Sequence, residues 1–178
     1  KNGSENMKKL PYGIRDYETV LENDYYYIDK TMYIERIENL AEPYIIFLRP
    51  RKFGKTLFTS TIENYYDIKK EAKFQELFGE TYIGKNPTKL KNSYYVLKFN
   101  FSGIDTNNEE TTINGFKSKV ISSIKMFVEK YKLDFYINND DEAENILDNL
   151  IKAFNIQRAD EKIYVIIDEY DHFANELL

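Results

Sequence analysis

The 178-residue chain is 42% hydrophobic and 31% charged, the range of a folded globular protein rather than a disordered one. Its net charge of −5 excludes an overall basic field for nucleic acid, though not a local basic patch. It has no cysteine, which excludes disulfides, thiolate metal sites and a cysteine nucleophile.

No apolar run approaches the roughly 20 residues of a membrane span, and no signal-peptide core is present. The chain therefore reads as soluble and cytoplasmic, with no membrane partner. Tyrosine is abundant (16) and tryptophan absent, which suggests genomic composition bias more than aromatic ligand chemistry. Lys1 to Asn6 precede Met7 and read as an expression leftover, so the domain is taken as residues 7–178.

In chain order, residues 7–28 form an irregular, Tyr-rich lead-in. Asp29-Lys30-Thr31 offers N-cap chemistry before Met32, Ile34, Ile37 and Leu40, whose spacing predicts a helix at 30–40. Tyr44 to Leu48 is a continuous apolar run, the pattern of a strand buried on both faces. A loop at 49–54 follows, then a helix from Lys55 carrying Leu57, Phe58, Ile62 and Tyr65. Phe74, Leu77 and Phe78 suggest a short helix, and Gly84 to Pro87 a turn.

Tyr94 to Ser102 has strong β propensity and reads as a second strand. After a polar loop at 105–110, residues 111–132 repeat apolar side chains at helical spacing, and so do residues 142–155. Ile163 to Ile167 is a continuous apolar strand ending in Asp168-Glu169. Buried strands alternating with helices predict an α/β fold, a parallel sheet with flanking helices.

The stretch "RPRKFGKT", residues 49–56, ends like a phosphate-binding loop, but Arg49 stands where the first glycine of that motif belongs. Such a loop needs converging backbone N–H groups, a helix N-terminus and a cation. Gly54 would let the backbone approach phosphate, Lys55 would reach the β and γ phosphates, and the Thr56 hydroxyl would ligate Mg²⁺. The plain alternative is a basic strand-helix loop.

"IYVIIDEYD" tips that balance. Asp168 and Glu169 stand at the carboxyl end of a strand, where parallel α/β sheets bind ligands. An aspartate there holds Mg²⁺, and the adjacent glutamate orients or deprotonates a water. The plain alternative is an acidic strand end. Two such motifs in the expected order favour a nucleotide site.

With "LPYGIRDYE", "YYYIDKT", "RPRKFGKTLF" and "VIIDEYD" in one chain, residues 8–175 resemble the bacterial AAA-ATPase-like family. The resemblance implies a P-loop NTPase-like domain that takes ATP and Mg²⁺. It implies nucleotide-binding roles for Gly54, Lys55, Thr56, Asp168 and Glu169, and makes Arg49 a family feature. Many members carry a C-terminal PD-(D/E)XK nuclease-like domain, which is not expected within these 178 residues. It also implies a further strand with a polar sensor residue beyond Leu178. The sheet is therefore expected to be incomplete at the C-terminus, the chain to be a truncated piece, and an oligomer to be compatible with its open edge.

The candidate nucleotide-binding segment is Arg49, Pro50, Arg51, Lys52, Phe53, Gly54, Lys55 and Thr56, with Thr56 and Asp168 for metal and Lys55 and Glu169 as catalytic residues. Arg49 and Arg51 either touch phosphate or simply solvate the loop, and Pro50 stiffens it. Residues 25–31 read either as a wall for the adenine ring or, more simply, as packing with Asp29 or Thr31 as cap. His172 reads as structural, and residues 138–144 as a solvated loop and helix start.

The reading is an ATP-binding protein that hydrolyses ATP in its intact form, weakly or not at all as a piece. The alternative is a nucleotide-gated module that controls a nuclease-like or partner domain with little hydrolysis. A third reading, nucleic-acid contact through the basic loop, fits the negative net charge poorly.

Overall fold

Asp16 opens the first helix of the chain. Its carboxylate accepts from Thr19 N at 2.8 Å, closing the N-cap of α1, Tyr17–Glu22. The lead-in read as irregular thus contains a short capped helix. In the computed structural model, residues 8–47 and 54–170 are described. The chain falls into two compact units, residues 1–92 and 93–178.

The first unit is helical. α2, Met32–Leu40, and α3, Lys55–Tyr66, start within two residues of their expected positions. A 3₁₀ segment, Ile68–Lys73, leads to α4, Phe74–Phe78, and then to α5, Tyr82–Lys85. The turn expected at 84–87 is thus entered through a helical turn. Tyr17, Tyr65, Phe74 and Phe78 form an aromatic core, with Phe78 5.2 Å from Tyr17 and 5.5 Å from Tyr65 between ring centres. Packing of this kind stabilises a core well beyond the area it buries.

Polar side chains pin α1 to α3. Ser60 Oγ accepts from Tyr17 N at 2.9 Å and donates to Asp16 Oδ2 at 3.2 Å. Buried Ser60 on α3 is therefore a structural polar residue with both its donor and acceptor used.

Of the strand expected at 44–48, the described residues 44–47 form none. Residues 44–47 make no ladder, and Leu48 lies outside the described residues. Tyr44 and Ile46 are 90% and 72% exposed, whereas Ile45 and Phe47 are half-buried. The segment is covered on one side only, by the period-2 geometry of an extended chain. Apolar composition alone did not reveal that.

The second unit carries the sheet. β1, Tyr94–Asn100, leads through α6, Glu109–Tyr131, and α7, Ala143–Gln157, to β2, Lys162–Asp168. Among the described residues the sheet has these two strands, paired parallel from Tyr94 opposite Lys162 to Asn100 opposite Asp168. Asn108 caps α6 through Thr111 N at 2.9 Å, so that helix begins two residues earlier than its apolar pattern shows.

Tyr95 of β1 meets Tyr131 of α6 and Phe154 of α7, with ring centres 4.8 and 5.1 Å away. The Tyr131 hydroxyl accepts from Val96 N at 2.9 Å, satisfying a β1 backbone donor that β2 does not reach. The fold is α/β with parallel strands, as expected. No helix among the described residues is long and apolar enough to cross a membrane.

Candidate functional site

Helix α3 begins where a phosphate-binding loop would hand over to its helix. Its N-cap is Gly54, with φ +75°, a left-handed conformation in which glycine carries no Cβ penalty. Gly54 O accepts from Phe58 N at 3.0 Å, which closes the first turn. No side chain caps this end, and no acidic residue lies in the first turn. Among the described residues no side chain accepts from the leading N–H groups of α3, which lie at the positive end of a 12-residue helix.

Lys55 and Thr56 occupy the first two positions of α3 and are half-buried. Phe58, one turn on, meets Phe47 at 5.6 Å between ring centres and Tyr33 of α2 at 6.4 Å. One ring therefore anchors the chain on both sides of the loop. Arg49, Pro50, Arg51, Lys52 and Phe53 lie outside the described residues, as does His172.

The segment 25–31 performs a structural task. Asp29 Oδ1 accepts from Thr31 N at 2.8 Å, and Asp29 Oδ2 accepts from Tyr82 N at 2.7 Å. Thr31 is fully buried, and its Oγ1 accepts from Ile83 N at 3.1 Å. Asp29 and Thr31 thus serve the N-terminus of α5, a more distant helix than the one they precede. Tyr27 is hydrogen-bonded to the Thr61 side chain and the Lys30 backbone, and burial pushes its phenol up to about 12. Tyr26 and Ile28 point outward, 52% and 62% exposed.

In the second unit, β2 ends in Asp168, which is 1% exposed. Its Oδ1 accepts from Glu169 N at 3.0 Å. No donor among the described residues reaches its Oδ2. A buried carboxylate oxygen without a partner costs about 1–3 kcal/mol or more, so the site is suited to a cation or to a metal-bound water. Glu169 has φ +56°, which is uncommon outside glycine and redirects the chain as the strand ends.

Asn100 stands beside Asp168 in the parallel register, at the carboxyl end of β1. Sequence reasoning missed it, because only strand pairing puts the two side by side. Among the described residues no group of three His, Cys, Asp or Glu side chains is placed to hold a metal ion. Metal held at Asp168 would therefore need ligands from elsewhere, such as phosphate oxygens, water and a hydroxyl.

A family model described as "Predicted AAA-ATPase" matches residues 11–178. The chain belongs to this AAA-ATPase-like family. The match takes in Lys55, Thr56, Asp168 and Glu169, and also the YYYIDKT segment. A protein of Azotobacter chroococcum mcd 1, described as an uncharacterized protein in the vnfD 5′ region, is 40% identical to this AAA-ATPase-like chain over 60 residues. That stretch is 33% of this chain and 11% of the relative, so the chain covers only a small part of the curated protein it matches. No solved structure matches.

Proposed function

We propose that the protein binds ATP with Mg²⁺ at the N-terminus of α3 and, in its intact form, hydrolyses it to ADP and phosphate. The observation that carries this reading is the uncapped start of α3, Gly54-Lys55-Thr56, within a chain of a predicted ATPase family. The buried, half-satisfied Asp168 supports it independently.

The roles follow from chemistry. The free N–H groups of α3 and the Lys55 ammonium would hold the phosphates and offset their charge. Thr56 Oγ1 in the first unit is a candidate Mg²⁺ ligand and, taken by itself, so is Asp168 Oδ2 in the second; the ion would supply charge neutralisation on the phosphate oxygens. Glu169 would accept a hydrogen bond from the attacking water and align it. Arg49 and Arg51 would add positive charge at the loop.

In-line attack of water on the γ-phosphorus forms the new P–O bond, and the bond to the β-bridging oxygen breaks. The water proton passes to Glu169 or to phosphate, and ADP leaves with the electron pair.

A second reading keeps the site and changes the output. The protein would be a nucleotide-gated module acting on a nuclease-like or partner domain, with little turnover. Replacing Glu169 by Gln in the full-length protein separates the two. Loss of turnover with ATP binding retained supports the hydrolase. Turnover that is negligible in wild type and unchanged in Glu169→Gln, with binding intact in both, supports the switch.

A further inference from the structure

Lys30 belongs to none of the roles above, yet it reaches the start of α3. A Cβ built on Gly54 would lie 3.9 Å from the Lys30 ammonium nitrogen, its nearest neighbour among the described residues. The side chain crosses to Gly54 from the segment before α2.

The backbone that carries Lys30 is fixed on both sides. Tyr27 ties the Lys30 backbone to Thr61 of α3. Asp29 is committed to Thr31 N and Tyr82 N, and Lys30 O accepts from Tyr33 N at 3.1 Å. The neighbouring carboxylate is thus occupied by backbone donors. Neither Lys30 nor Lys55 forms an ion pair among the described residues.

The Lys30 ammonium therefore stands beside Gly54 at the positive end of α3, a helix that opens with Lys55 and has no acid in its first turn. Cations at a helix N-terminus are repelled by the helix dipole, and an anion between them reverses the sign of every interaction there. Among the described residues no carboxylate pairs with Lys30. Its surroundings do contain an anion-binding helix end.

We propose that Lys30 is a second phosphate-binding lysine, reaching from the YYYIDKT segment to the polyphosphate held by Gly54, Lys55 and Thr56. This rests on the nucleotide reading of that loop. It gives the segment a part in binding different from an adenine wall: recognition of phosphate charge, not of the base.

The test uses the full-length protein and a fluorescent ATP analogue with Mg²⁺, displaced by ATP, ADP, AMP or inorganic tripolyphosphate. Wild type is compared with Lys30→Met, Lys30→Arg and Lys55→Ala, and each is melted without nucleotide. Lys30→Met should weaken ATP and tripolyphosphate about tenfold, the size of one charge-assisted contact, and AMP much less. Lys30→Arg should recover most of the loss, and the melting temperature of Lys30→Met should match wild type.

Unchanged ATP affinity in Lys30→Met, with binding abolished in Lys55→Ala, would overturn the role of Lys30 and leave the nucleotide site standing. A lowered melting temperature with equal losses for ATP and AMP would mark a structural lysine and overturn it as well. No binding by wild type would end both readings.

Discussion

Thr31 Oγ1 accepts a hydrogen bond from Ile83 N at 3.1 Å, and Thr31 is wholly buried. The hydroxyl just before α2 thus satisfies a backbone donor at the start of α5. Thr31→Val keeps the shape and removes the acceptor, leaving a buried N–H unpaired. The expected cost is about 1–3 kcal/mol, read from urea unfolding. ATP affinity of the folded variant should stay at the wild-type value. A large loss of affinity at unchanged stability would return the segment to the role of an adenine wall.

Two glycines should respond differently to the same substitution. A Cβ on Gly84 would lie 1.7 Å from the backbone oxygen of Phe78, which cannot move without displacing α4. Gly84→Ala should cost more than about 4 kcal/mol, seen as loss of the cooperative unfolding transition. A Cβ on Gly54 would meet no described residue closer than 3.9 Å, so the substitution costs mainly through its φ of +75°. Gly54→Ala should cost about 1–2 kcal/mol of stability. It should lose more in nucleotide binding, because the added methyl points at Lys30.

How far the sequence revealed this molecule depended on how local each signal was. α6, α7, β1 and β2 were legible because each repeats its period over many residues. α1 was missed because its six residues are held by the Asp16 cap and by Ser60 of α3 and show little periodicity of their own. Residues 44–47 were misread because apolar composition does not distinguish a two-sided strand from a segment covered on one face.

In the candidate site, Lys55, Thr56 and Asp168 were legible as motif positions. The approach of Lys30 to Gly54 was not, since it depends on Tyr27 and Asp29 fixing the chain between distant helices. The half-satisfied state of Asp168 was equally invisible, because burial and hydrogen bonding are properties of the folded strand end.

Tyr131 makes a test of the second unit. Its hydroxyl is the acceptor for Val96 N, and its ring packs on Tyr95 and Phe127. Tyr131→Phe keeps the ring and removes the acceptor. Unfolding free energy should fall by about 1–2 kcal/mol, and the Val96 amide should exchange faster with solvent than its neighbours in β1.

Glu18 sets a pH dependence in the first unit. Hydrogen bonds from Lys70 and Lys73 hold its carboxyl below the usual glutamate value. A depressed folded-state pKa means the unfolded chain binds the proton more readily. The contribution is therefore present above the unfolded glutamate value, near pH 4.5, and lost as pH falls through the lower folded value. Glu18→Gln should lower stability at pH 7 by up to about 1 kcal/mol, as for a partly exposed pair. It should also flatten the acid limb of a stability-against-pH curve. An acid limb unchanged by the substitution would show that Glu18 contributes nothing to it.

Binding of a fluorescent ATP analogue with Mg²⁺, in wild type against Lys55→Ala, tests the nucleotide site most directly. The account predicts micromolar binding by the full-length wild type, weakened by EDTA and lost in a Lys55→Ala protein that melts like wild type. Equal binding by both proteins, or none by a folded wild type, would contradict it.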